Sequence, residues 1–202
     1  MDVRIIMAML KNQIGVKLGL FMVLAYVRLV GTGSYKKVGF KVSKFIFLDV
    51  DGVLNCFSTK QKCDQGPGRE SRYITGVEPE KIALLKQIVD ATGAKIVLSS
   101  TWRQGSCPTA TAQDRKALIY LCQALAEFGL VIYDYTPFDK SRDRGAEIQA
   151  WLDCTEDEVE DYIVIDDQVF DIIDKHRGHV LVTSEVFGLK PKAVDMAIKM
   201  LS

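Results

Sequence analysis

Residues 45–55 read FIFLDVDGVLN. Four apolar or aromatic residues run straight into Asp49, one position is skipped, and Asp51 follows just before a glycine. Neither carboxylate has an obvious partner close by in sequence. An acid at the end of a buried strand loses hydration, and that loss is costly unless hydrogen bonds, a counter-charge or a metal offset it. Asp and Gly are also ordinary turn residues. The choice between a turn and an ion site therefore rests on what the remaining chain brings to the same place.

From Lys44 onward, short apolar runs alternate with helical patterns. KFIFLDV reads as a buried parallel strand, a continuous apolar run that ends in acids. Residues 55–77 carry Gly, Pro and charge with little periodicity and read as a loop or flap. EPEKIALLKQIVDATG repeats Ile82, Leu85 and Val89 at helical spacing and stops at Gly93. AKIVLSS is the second strand, and a polar loop leads to a second helix in AQDRKALIYLCQALAEFG. LVIYDY, DYIVIDD and HVLVT are the remaining strands. RGAEIQAWL, QVFDIIDKH and KPKAVDMAIKML are expected to be helical, the last with Pro at its start.

Alternation of this kind predicts right-handed βαβ units and a parallel sheet covered on both faces. Ligands of such sheets bind beyond the carboxyl ends of the strands. That rule gathers Asp49 and Asp51 from the first strand, Ser99 and Ser100 from the second, and Asp166 and Asp167 from the fourth. Four carboxylates at one rim repel one another unless a cation or shared protons offset them. Oxygen ligands of this sort favour Mg²⁺, completed by water and phosphate.

Composition limits the alternatives. The chain has 202 residues, with 48% hydrophobic and 26% charged, which suits one domain with an appendage. Lys+Arg and Asp+Glu are both 26, so zero net charge argues against a general polyanion binder while leaving a local basic patch open. Lys60, Lys62, Arg69 and Arg72 give the flap such a character. The five cysteines are scattered without CxxC spacing, as expected of reduced thiols in a cytoplasmic protein. His176 and His179 lack a metal-binding partner motif and read as surface or strand-edge residues.

Residues 1–41 stand apart as an apolar extension and linker, with the catalytic domain expected over 42–202. The apolar stretch 14–30 is interrupted by Lys17 and Arg28, which leave ten uncharged residues between them. A bilayer span needs roughly 20 apolar residues. A surface helix or poorly structured extension is preferred, with a signal peptide or membrane anchor as the alternatives. Membrane contact is expected only through 14–30.

Four segments together resemble the haloacid dehalogenase-like (HAD) superfamily of aspartate-nucleophile phosphohydrolases. DVDGVLN is similar to its first motif, KIVLSS to the second, DRGAEIQAWL to the third and YIVIDD to the fourth. SSTWR, the RG-EI--WL pattern and GLK before the last helix resemble a compact branch that includes domains associated with RNA repair. The resemblance implies an α/β, Rossmann-like core with a mainly parallel five-stranded sheet and a minimal cap.

It also implies roles. Asp49 would be the nucleophile, and Asp51 the acid that protonates the leaving oxygen and then activates water. Mg²⁺ would be held by Asp49, the main-chain carbonyl of Asp51, Asp166 and Asp167, with Asp166 in direct contact. Ser99 would hold a phosphate oxygen, with Ser100 kept open because a one-residue shift reverses a strand side chain. Arg144 is preferred over Lys140 as the basic residue, because it directly precedes Gly145 at the helix start. Arg103 is a further substrate contact or, equally, a packing residue.

The leading expectation is thus a Mg²⁺-dependent phosphatase acting on a phosphate monoester. The substrate could be a small molecule or, since the site is open, a macromolecular end such as a nucleic-acid terminus or phosphoprotein. A nucleic-acid end-processing phosphatase is the second expectation, and a non-catalytic binding module the third.

Overall fold

A computed structural model describes residues 42–56, 76–139 and 143–202. The chain divides into two units, 1–39 and 40–202, and all the strands and helices described belong to the second. The N-terminal stretch, residues 57–75 of the flap and Lys140 lie outside the described residues.

The elements follow in the order β1 (Val42–Leu48), α1 (Pro79–Thr92), β2 (Lys95–Leu98), a 3-10 turn (Thr101–Ser106), α2 (Ala112–Ala126) and β3 (Ile132–Tyr135). Next come α3 (Arg144–Cys154), β4 (Glu158–Asp166), β5 (Val180–Val182) and α4 (Pro191–Met200). The five strands form one sheet in the order β3-β2-β1-β4-β5, every pair parallel. The α/β, Rossmann-like expectation is met.

Sequence period explains the two-faced core. Alternate residues of a strand point to opposite faces, so Ile46 and Leu48 join α1, α2 and α4 in one apolar cluster. Phe45 and Phe47 face the other way, into a cluster with Ile148 and Trp151 of α3. The Trp151 ring lies 4.9 Å from Phe45 and 5.3 Å from Phe47, both edge-on. Removing one such ring typically costs about 3–5 kcal/mol. The helix ends follow ordinary chemistry. Pro79 opens α1 and left-handed Gly93 closes it. Thr111 and Asp114 form a reciprocal capping box on α2.

Three expectations need correction. The loop after β2 is a 3-10 turn, capped by the Ser100 hydroxyl. Residues 168–176 form successive turns instead of a helix. They are shaped by docking on the start of α3: Asp171 Oδ2 accepts from Arg144 N at 2.7 Å. A Cβ at Gly145 would overlap the Asp171 carbonyl oxygen, so this approach requires glycine. His176, expected near the surface, is 1% exposed. Its Nε2 hydrogen-bonds the Gly145 carbonyl at 2.8 Å, and its Nδ1 pairs with the Tyr162 hydroxyl at 2.9 Å. The ring ties α3 to β4, a role that residue spacing alone does not disclose.

Candidate active site

The order of the strands reverses at β1: the chain moves outward through β2 to β3, then returns to lay β4 on the other side of β1. The crevice beyond β1 and β4 is therefore the switch point of the sheet, where ligands of such folds bind. Leu48 pairs with Ile165, so the next residues, Asp49 and Asp166, emerge side by side. Asp49 N donates to the Ile165 carbonyl at 3.0 Å and carries the pairing one residue further.

The side chains of Asp49, Asp166 and Asp167 converge, with one oxygen from each lying within 4.8 Å of the others. Asp49 and Asp166 are buried. Arg144, the first residue of α3, reaches into this group. Its Nη1 lies 2.5 Å from Asp166 Oδ2 and 3.1 Å from Asp49 Oδ1. Asp166 Oδ1 accepts from Gln168 N at 2.8 Å.

Electrostatics follow from that packing. Burial pushes the Asp49 carboxyl up to about 7; Arg144 opposes the rise and Asp166 adds to it. Burial also raises Asp166 against the pull of Arg144, and raises Asp167 with help from Asp49. Burial acts to lower Arg144, but Asp49 and Asp166 outweigh it and hold the guanidinium firmly charged. One cation against three carboxylates leaves negative charge uncompensated. The donor set is all oxygen and fits Mg²⁺.

Gly52 makes this approach possible. It has φ +74°, in the left-handed region, and a Cβ there would overlap the Asp167 carboxylate. The Thr183 hydroxyl donates to the Gly52 carbonyl at 2.8 Å, fixing the turn from the β5 side.

Asp51 stands outside the carboxylate cluster. Its Oδ1 accepts from Asn55 Nδ2 and its Oδ2 from Trp102 Nε1, each at 2.9 Å. Both oxygens are thus oriented, and the plane of the carboxyl is set by two donors from different segments. Such orientation suits a proton-transfer group, which must meet its partner at hydrogen-bond distance. Within SSTWR, nothing in the sequence assigns a role to Trp102. An indole N–H donates only, and it finds its acceptor in Asp51.

The two serines separate. Ser100 hydrogen-bonds Asp49 and caps the 3-10 turn. The Ser99 hydroxyl is buried without a hydrogen-bond partner among the described residues, an arrangement that ordinarily carries a free-energy penalty.

Of the two readings of Arg103, substrate contact or packing residue, the geometry favours packing. Arg103 is 2% exposed. Its Nε donates to Thr136 O at 3.0 Å, and its Nη1 to Ser99 O and Ser100 O at 2.5 and 2.7 Å. Nη2 donates to Pro137 O at 3.4 Å and Glu147 Oε2 at 2.5 Å. A guanidinium has five N–H donors, and all are used within the protein, so none remains for a phosphate. Glu147, which the sequence did not single out, completes the clamp by accepting from Asp139 N at 2.9 Å.

The family model described as the HAD domain in Swiss Army Knife RNA repair proteins matches residues 45–194. The chain belongs to this family. The matched span runs from β1 into α4 and includes every carboxylate of the site. Membership of the HAD family points to phosphatase-type hydrolase chemistry. No curated protein matches the chain.

Proposed function

We propose that this HAD domain is a Mg²⁺-dependent phosphomonoesterase working through an aspartyl-phosphate. The observation that carries the reading is the convergence of Asp49, Asp166 and Asp167 around Arg144, beside an independently oriented Asp51. Asp49, Asp166 and Asp167 would hold the cation, with Asp51 contributing its main-chain carbonyl. When bound, Mg²⁺ would supply positive charge that keeps these carboxylates ionised and draws electron density from a phosphoryl oxygen.

The chain's own groups then divide the work. Asp49 attacks phosphorus through a carboxylate oxygen while the ester P–O bond breaks. The leaving oxygen takes a proton from Asp51, whose carboxyl plane is set by Trp102 and Asn55. In the second half, Asp51 accepts a proton from water as that water attacks phosphorus. The bond to Asp49 breaks, inorganic phosphate leaves, and Asp51 is again protonated. Arg144 stabilises the charge that gathers on the phosphoryl group during both transfers. The unpartnered Ser99 hydroxyl is suited to donate to a phosphoryl oxygen, with Ser100 positioning Asp49.

The family match favours a second, narrower reading: that the ester is the phosphorylated end of a nucleic acid. A screen of phosphorylated metabolites and of 3′- and 5′-phosphorylated oligonucleotides, with Mg²⁺ or chelator, tests both readings. Turnover should require Mg²⁺. Titrating Mg²⁺ against Asp166→Ala and Asp167→Ala should show the larger rise in requirement for Asp166→Ala. Equal and unchanged requirements in both would remove these residues from the metal site.

A further inference from the structure

An open pocket of about 520 Å³ adjoins the rim on the Arg144 side. The 3-10 turn contributes Thr101 and Gln104, the loop after it Thr109, and the connection from β3 to α3 contributes Phe138. The volume falls in the range of small-molecule sites and is much more than a phosphoryl group fills. Because Arg144 lines both this pocket and the carboxylate cluster, a phosphate held at Asp49 would direct its ester substituent towards the pocket.

The lining has a specific character. Phe138 is 49% exposed. The Arg103 guanidinium lies 4.1 Å from the centre of its ring. That guanidinium is fixed by five hydrogen bonds and neutralised by Glu147. An exposed aromatic ring is thereby backed by a rigid, planar group. Exposed Thr101, Gln104 and Thr109 supply hydroxyl and amide groups around it. Charges of both signs line the pocket, Asp139 and Glu147 with Arg103 and Arg144, so it presents no single-sign field for a second phosphate.

We infer that this pocket receives the nucleobase of a phosphorylated terminal nucleoside, stacked on Phe138, and so sets the substrate class. The inference rests on the phosphatase reading for the position of the phosphate. Stacking of a base on an aromatic side chain tolerates any base identity, so discrimination between base and no base should exceed discrimination among bases.

Calorimetry on full-length Asp49→Asn protein with Mg²⁺ tests the inference without turnover. The probes are nucleoside 3′- and 5′-monophosphates, ribose 5-phosphate and a phosphoserine peptide. At least one nucleotide series should bind about tenfold or more tighter than ribose 5-phosphate, the scale expected of one stacked base. Adding Phe138→Ala should abolish that margin, and Phe138→Leu, which keeps bulk without the ring, should abolish most of it. Equal affinities for nucleotide and ribose phosphate would overturn the inference. So would a margin that survives both Phe138 changes, tighter binding of the peptide, or no binding by any probe. Hydrolysis of p-nitrophenyl phosphate by the wild type reports separately on the phosphatase reading. A base-dependent margin in a protein with no hydrolytic activity would uphold the pocket and discard the mechanism.

Discussion

Two arginines, Arg103 and Arg144, lie a few residues from the same rim and are both largely withdrawn from water, yet their surroundings differ in kind. Arg103 meets one carboxylate and four carbonyl oxygens, and every donor it owns is used. Arg144 faces the carboxylates of Asp49 and Asp166, with Asp167 beside them. The first assembly is closed: charge and hydrogen bonds balance within the protein. The second is open, because three acids share one cation, and burial pushes their pKa values upward. A balanced buried pair fixes geometry, whereas an unbalanced one is poised to take up further positive charge. The motif residues of the rim thus divide into those that hold shape and those to which the proposed function assigns the chemistry.

The sharpest way to break this division is to neutralise the open cluster. Asp49→Asn should lower turnover by more than about 10³-fold, since an amide cannot form the acyl phosphate; steady-state assays with a generic phosphate ester read it. Arg144→Ala should follow, at about 10²–10³-fold in kcat, the scale of losing one charged group aimed at the transition state. An Arg144 variant with wild-type kcat would transfer the role elsewhere.

The closed clamp should behave oppositely. Arg103→Met leaves Glu147 buried without its partner and should cost about 3–5 kcal/mol of stability in chemical unfolding. KM for a small phosphate ester, measured on the folded fraction, should stay within about threefold of wild type. A large rise in KM with little loss of stability would return Arg103 to the substrate.

Asp49→Asn offers a subtler, opposite sign in the metal-free protein. The folded Asp49 pKa is raised from 3.8 to about 7, so between these values the native state binds more protons than the unfolded one. Its contribution to stability is therefore full below about pH 4, is lost as pH rises through 7, and then levels off. Asn has no such proton to lose. In chelator, the variant should gain roughly 1–3 kcal/mol over wild type at pH 8 relative to pH 4. Parallel pH–stability curves would mean that Arg144 already balances the charge.

The smallest expected effect concerns the donors to Asp51. Trp102→Phe keeps an aromatic ring and removes the N–H, and should slow alkyl phosphates about tenfold while barely changing p-nitrophenyl phosphate, which needs little protonation on departure. Equal slowing of both would reduce Trp102 to a packing role.

Much of this is legible in the chain. Strand-helix alternation implies the sheet, and the rule of carboxyl ends gathers Asp49, Ser99, Asp166 and Asp167 from residue order alone. Arg144 is favoured by its place before Gly145, and the structure explains the glycine through the Asp171 carbonyl. Less is legible where a side chain's environment comes from distant segments. Arg103 in sequence reads equally as a substrate contact or a packing residue, because Glu147, its buried partner, lies 44 positions away. The turns of 168–176 carry apolar spacing that suits a helix, but their partners on α3 redirect the backbone. Trp102 and His176 find their acceptors only after folding.

The indole bond to Asp51 has an optical consequence. The chain contains two tryptophans, Trp102 and Trp151, and each donates its ring N–H to an aspartate, Asp51 and Asp134 respectively. Trp151 packs against Phe45 and Phe47, whereas Trp102 lies at the rim. A Trp151→Phe chain would emit from a single fluorophore whose excited-state dipole sits beside the Asp51 carboxyl. If the proposed mechanism holds, its emission would change as a proton moves at Asp51, giving each half-reaction its own signal without a label.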